Sequence, residues 1–161
     1  MTRLADFSAR APDGSDIDLT AYDGQVVLVV NTASQCGYAA QLPGLQRLHE
    51  RYVDRGFTVL GFPSDQFRQE PLGDEEMQAV CERNFGVSFP MFSKVAVNGR
   101  ETHPLFRWLR SERKGLLGAR INWNYTKFLV GRDGAVIARF APTTEPDAMV
   151  EDIERALGPA G

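Results

Sequence analysis

At 161 residues, with 43% hydrophobic side chains, the chain suits one folding unit able to bury about 70% of its unfolded surface. A net charge of -3, with 18 Lys and Arg set among 21 Asp and Glu, offers nucleic acid or an anionic membrane no global attraction and no basic run to hold. No segment nears the roughly 20 apolar residues of a membrane span, and the opening MTRLADFSARAPDG carries no apolar stretch of signal-peptide length. A cytosolic protein with no stable membrane association is expected.

In chain order, Asp6 to Arg10 and Ile17 to Leu19 flank Pro12-Asp13-Gly14, a turn in which glycine supplies positive φ, and together they predict a small β-hairpin. Val26 to Asn31 reads as a fully buried strand from its unbroken Val/Leu composition. Leu45, Leu48 and Tyr52 then repeat at helical spacing up to Arg55, and Phe57 to Phe62 returns as a second buried strand. A strand, helix, strand unit of this kind crosses over right-handedly and pairs its strands in parallel. Asp74 is placed to cap a helix with the apolar face Met77, Val80, Cys81, and Thr102 to cap another through Pro104, Leu105, Trp108 and Leu109. Lys127 to Val130 and Ala135 to Phe140 flank Gly131-Arg132-Asp133-Gly134, a hairpin signal. Thr144 is placed to cap a last helix carrying Met149, Ile153, Ala156 and Leu157. No repeat, low-complexity tract or linker divides the chain, so residues 1–161 are expected to form one domain. The order predicts an α/β thioredoxin-like fold, a central mixed sheet flanked by helices, with the N-terminal β-hairpin ahead of it.

Cys36 follows the buried strand through small polar residues and stands where the next helix should begin. A strand end holds a sulfur rigidly at the carboxyl edge of the sheet, where α/β proteins bind ligands. Free amides at a helix start lower a thiol pKa from about 8.5 into the range of roughly 3.5 to 7.5. Two cysteines in a reducing compartment leave reactive, metal-binding and merely buried roles open. Metal has the least support, because Cys36, Cys81, His49 and His103 form no CxxC or HxxxH cluster. Cys81, in step with Met77 and Val80, also fits simple core packing.

The segments NTASQCGY (Asn31 to Tyr38), LGFPSDQFRQEP (Leu60 to Pro71), FPMFSKVAVNG (Phe89 to Gly99) and NWNYTKFLVGRDG (Asn122 to Gly134), with APTTEP (Ala141 to Pro146) beyond, resemble in order the signature blocks of the glutathione peroxidase family. The resemblance covers nearly the whole chain. It implies a peroxidatic cysteine, Cys36, aided by donors at Gln69, Trp123 and Asn124, with hydroperoxides as substrates. Amide and indole N–H groups can hold a thiolate and a departing oxygen while being too weakly basic to take the thiol proton. Cys81 matches the resolving cysteine of thioredoxin-dependent, two-cysteine members, which implies thioredoxin as reductant, with glutathione as the alternative. No further cofactor is implied: cysteine stands where some relatives carry selenocysteine, so no selenium is required, and the nucleophile is less acidic.

Three departures from the family pattern stand out. Ser64 replaces a frequent second cysteine, Asp65 replaces an asparagine, and only Arg68 separates Phe67 from Gln69 where two residues are usual. The last puts the placement of the Gln69 amide in question. The short stretch between Gly99 and Asn122 lacks the insertion that tetrameric relatives carry at their contacts, so a monomer open to bulky organic and lipid hydroperoxides is expected.

Other thiol chemistries fit less well. A peroxiredoxin would have Thr or Ser where Ala33 stands, and a cysteine hydrolase needs a histidine against the thiol, whereas His49 is expected at the surface. A redox sensor that passes oxidation to a partner would use the same Cys36 and is separated from a peroxidase only by turnover.

Overall fold

Each residue of strand β3 (Val26–Thr32) is buried, because helices cover both faces of the sheet it centres. The computed structural model describes residues 1–159 except Gln69 and Leu117. Strand β4 (Phe57–Pro63) runs parallel to β3, in register from Val26 opposite Phe57 to Thr32 opposite Pro63. Helix α1 (Leu42–Tyr52) joins the two. On the other side of β3 lies β5 (Lys127–Val130), antiparallel, followed by β6 (Val136–Phe140). The order β4-β3-β5-β6 makes the mixed sheet of a thioredoxin-like fold. A separate hairpin, β1 (Ser8–Arg10) with β2 (Asp16–Asp18), precedes it. Its strands are shorter than the sequence suggests, since Leu4–Asp6 and Leu19–Tyr22 turn into 3-10 helices on either side.

The two-residue period of β3 divides the core. Val26, Leu28 and Val30 pack with Leu45, Leu48 and Tyr52 of α1, with Met77 and Cys81 of α2 (Asp74–Phe85), and with Ile153 and Leu157 of α4 (Val150–Leu157). Val27 and Val29 face Leu60, Phe62 and the Leu105, Phe106 and Leu109 side chains of α3 (Pro104–Glu112). Among the described residues no helix is long and apolar enough to cross a membrane.

The three capping expectations fail, each for a local reason. The Asp74 carboxylate accepts the Lys94 N–H at 2.8 Å, which takes it away from its own helix, and Gly73 occupies the N-cap position. Thr102 lies one residue too early: its hydroxyl donates to the Gly99 carbonyl, and His103 Nδ1 caps α3 by accepting from the Leu105 N–H at 3.1 Å. Thr144 is followed by a 3-10 turn, Pro146–Met149, so α4 begins only at Val150. His49 is not a surface residue either. It is half-buried, its Nδ1 accepts the Val59 N–H at 3.3 Å, and its ring meets Phe89 edge-on at 6.1 Å. Burial lowers its pKa, with the Glu50 charge opposing the shift, which favours the neutral imidazole.

Gly44 permits the close approach of α1 to the segment after β6. A Cβ there would lie 2.8 Å from Pro146 Cγ and 3.1 Å from Pro146 Cβ, and a proline ring cannot rotate aside. Alanine gains about 1 kcal/mol of helix propensity over glycine, while overpacking costs about 1 to 3 kcal/mol. Gly44→Ala is therefore expected to lower the urea midpoint at unchanged m, and a raised midpoint would contradict the packing.

Candidate active site

Strands β3 and β4 end side by side at Thr32 and Pro63, and the chain runs on from the end of β3 to Cys36. Cys36 is 5% exposed and has extended backbone, φ -77 and ψ 142. It heads a five-residue 3-10 turn, Gly37–Gln41, its carbonyl accepting the Ala39 N–H at 2.8 Å. The sequence placed it at the start of the long helix. In the structure α1 starts only at Leu42, with Pro43 in its first turn, where the missing N–H leaves no donor unsatisfied.

The segment carrying Trp123 and Asn124 is clamped to the end of β3 by Asn31, which is fully buried. Asn31 Nδ2 donates to the Trp123 carbonyl at 3.3 Å, its Oδ1 accepts the Thr126 N–H at 3.1 Å, and its own carbonyl accepts the Tyr125 N–H at 2.7 Å. Between these ties Tyr125 takes φ +67, a left-handed conformation that costs a side-chain-bearing residue roughly 1 to 2 kcal/mol. Backbone strain of this kind persists where the surroundings over-determine it. Asn124 is fully buried, and the partly buried Trp123 packs against the cluster that contains Cys36, with Phe67 at 5.3 Å between ring centres.

Cys81 belongs to the same cluster and is 0% exposed. Both cysteines are free thiols. The Cys81 thiol donates to Met77 Sδ at 3.7 Å. Burial pushes its pKa up to about 12, with the charges of Glu70 and Glu82 adding in the same direction. The Tyr125 hydroxyl donates to the Ala33 carbonyl at 2.9 Å. Its pKa is raised well above the ordinary value, by burial first and by Cys81, Cys36 and Glu70 in the same sense, while the hydrogen bond to Ala33 opposes the shift.

Glu70, Ser34 and Tyr125 were not singled out from sequence. Glu70 is 3% exposed. Its carboxylate accepts the Ser34 N–H at 3.1 Å and the Ser34 hydroxyl, and its carbonyl accepts from Lys94 Nζ at 3.2 Å. A buried carboxylate requires such donors, and here they come from a residue two positions before Cys36. Glu70 lay inside the QEP motif, but a carboxylate in a Pro- and Gly-bearing loop reads as solvated. Only the pairing with Ser34 marks it. Arg68, in the shortened loop, takes φ +60, and its N–H donates to the Asp65 carbonyl at 2.9 Å, a tight turn leading to Gln69. Gln69 itself lies outside the described residues.

An open groove of about 840 Å³ borders this region. Tyr38 and Trp123 line it together with Leu116, Ala141, Pro142 and Thr143. Among the described residues no group of three or more His, Cys, Asp or Glu is arranged to hold a metal ion.

Residues 4–110 match the glutathione peroxidase family model. The chain belongs to the glutathione peroxidase family. It is 54% identical over 155 residues to the glutathione peroxidase homolog BsaA of Halalkalibacterium halodurans, covering 96% of this chain and 99% of that protein. It is 51% identical over 158 residues to the hydroperoxy fatty acid reductase gpx1 of Synechocystis, covering 94% of each. Among solved structures, T. cruzi GPX1 superposes with a TM-score of 0.82 at 31% identity over 97% of both chains. The chain is thus a peroxidase of the glutathione peroxidase family, and the match to the family model includes Cys36, Cys81 and Glu70. Trp123 and Asn124 lie beyond it.

Proposed function

We propose that this peroxidase works through Cys36, that Cys81 resolves the oxidised product, and that thioredoxin returns the enzyme to its dithiol state. The observation that supports the reading is that one buried cluster holds both Cys36 and Cys81 and has Trp123 packed against it. In the first step the Cys36 thiolate attacks the distal oxygen of ROOH: an S–O bond forms, the O–O bond breaks, and the alkoxide leaves as ROH after taking a proton. The Trp123 indole N–H and the amides of Asn124 and Gln69 donate to the sulfur and the departing oxygen. In the second step the Cys81 thiol attacks the Cys36 sulfenic acid: the S–S bond forms, the S–O bond breaks, and water leaves with the thiol proton. A dithiol reductant then takes the disulfide back by exchange.

The relative named for hydroperoxy fatty acids and the open groove beside Trp123 support organic and lipid hydroperoxides as substrates alongside hydrogen peroxide. We assign the chain as one domain acting as a cytoplasmic monomer. The deciding experiment is a coupled assay with thioredoxin, thioredoxin reductase and NADPH, run beside one with glutathione and glutathione reductase. Sustained NADPH consumption with thioredoxin supports the reading. Preference for glutathione would replace the reductant, and a stall after one turnover in both would favour a peroxide sensor.

Asn124→Ala is expected to slow Cys36 oxidation by about 100-fold, the usual effect of removing one preorganised donor, while leaving reduction by thioredoxin unchanged. Stopped-flow tryptophan fluorescence resolves the two phases. A slow reduction phase with normal oxidation would overturn the donor role.

A further inference from the structure

Lys127, the first residue of β5, is 0% exposed, and its strand partners are the apolar Val30 and Phe140. Its ammonium is satisfied by backbone alone: Nζ donates to the carbonyls of Ala141 at 3.3 Å, Pro142 at 3.2 Å and Thr144 at 2.6 Å. Three donors meet three acceptors within one four-residue stretch. Burial lowers the Lys127 pKa to about 8, and the Glu145 carboxylate opposes the shift. An apolar side chain would fill such a core position without that desolvation penalty, so packing alone does not account for a lysine here.

The Pro142 carbonyl also accepts Gln41 Nε2 at 2.7 Å. Gln41 is buried and closes the 3-10 turn that Cys36 heads. One carbonyl therefore joins the Cys36 turn to the strand that leaves the Trp123 segment. Ala141, Pro142 and Thr143, held in this way, line the groove together with Tyr38 and Trp123. Hydrogen peroxide needs none of that surface. A chain-bearing hydroperoxide does, since Tyr38, Leu116, Trp123 and Pro142 offer it apolar contact and the exposed Lys114 in the same lining complements a terminal carboxylate.

We propose that Lys127 is a positioning residue that pins residues 141–144 as the wall of this groove, and that the groove holds the organic part of a fatty-acid hydroperoxide with its O–O bond presented to Cys36. The inference rests on Cys36 being the peroxidatic residue. Holding a substrate in reacting geometry accelerates its reaction, and a wall displaced by about 1 Å is enough to cost on the order of 10²-fold.

The test compares second-order rate constants for Cys36 oxidation by linoleic acid hydroperoxide and by hydrogen peroxide. Lys127→Met is expected to lower the first about tenfold or more and the second by less than about twofold. Lys127→Gln keeps two N–H donors and should lie between the wild type and Lys127→Met. The ratio of the two constants does not depend on how much protein is folded, so partial loss of stability cannot mimic the effect. Equal losses with both peroxides, or an unchanged ratio, would overturn the positioning role. Failure of the underlying reading looks different: the wild type would then show no Cys36-dependent oxidation by either peroxide.

Discussion

Cys36→Ser is expected to take peroxide turnover below a tenth of the wild-type rate while leaving the melting transition nearly in place. The two side chains are almost isosteric, and Cys36 is 5% exposed at the head of a turn, so little packing changes. The chemistry changes entirely, because a serine hydroxyl is far too basic to ionise near neutral pH and the thiolate is the nucleophile. The other thiol cannot substitute for it. Cys81 is fully buried, with its pKa pushed up to about 12 by burial first, which keeps it a neutral thiol near pH 7. Residual activity above a tenth, in protein with an unchanged melt, would remove Cys36 from the centre of the mechanism.

Cys81→Ser should separate the two half-reactions. Oxidation of Cys36 should proceed at the wild-type rate, whereas steady-state turnover with thioredoxin should fall by about 100-fold or more, since no internal disulfide forms for the reductant to open. In the proposed cycle the same buried thiol that makes a poor bystander nucleophile has to become a good one after Cys36 is oxidised. Exposure to water removes the burial that raises its pKa, bringing it toward about 8.5 and increasing the thiolate fraction. Local opening of α2 is expected to supply that exposure.

The helix is suited to opening, because only Met77 and Cys81 among its twelve residues are buried, against six buried residues in α1. Glycines bound it at both ends, with Gly86 at φ +67 as the C-cap. Releasing two core side chains costs about 3 to 6 kcal/mol, less than global unfolding of a typical domain. Hydrogen exchange should therefore show α2 amides exchanging well ahead of those in α1, and equal protection of the two helices would contradict the opening.

The sheet was legible in the residues because its signals are local and strong. A short unbroken run of β-branched Val with Leu favours a strand covered on both faces, and Gly131 to Gly134 close a hairpin whose turn bond, the Gly134 N–H donating to the Gly131 carbonyl at 2.9 Å, depends on nothing distant. Helix starts were less legible, since a capping carboxylate or hydroxyl serves whichever donor comes nearest. Asp74 shows this: the Lys94 N–H, twenty residues away, wins its oxygen.

The candidate site divides along the same line. Cys36, Trp123 and Asn124 lie in recognisable motifs, but what holds them does not. The Asn31 clamp, the Ser34–Glu70 pair and the left-handed Tyr125 arise only when separate segments meet. Lys127 is hidden most completely, because a lysine at a strand end ordinarily reads as a solvated charge, and its three carbonyl partners lie at least fourteen positions downstream.

In the proposed cycle Cys36 takes the oxygen and Cys81 removes it. Intact-mass analysis of the reduced protein after one equivalent of peroxide tests it directly. The wild type should lose about two mass units as the disulfide forms, and Cys81→Ser should gain about 16 as the trapped sulfenic acid on Cys36. A wild type that instead keeps the added oxygen would contradict it, returning Cys81 to a packing role and making glutathione the better candidate for the reductant.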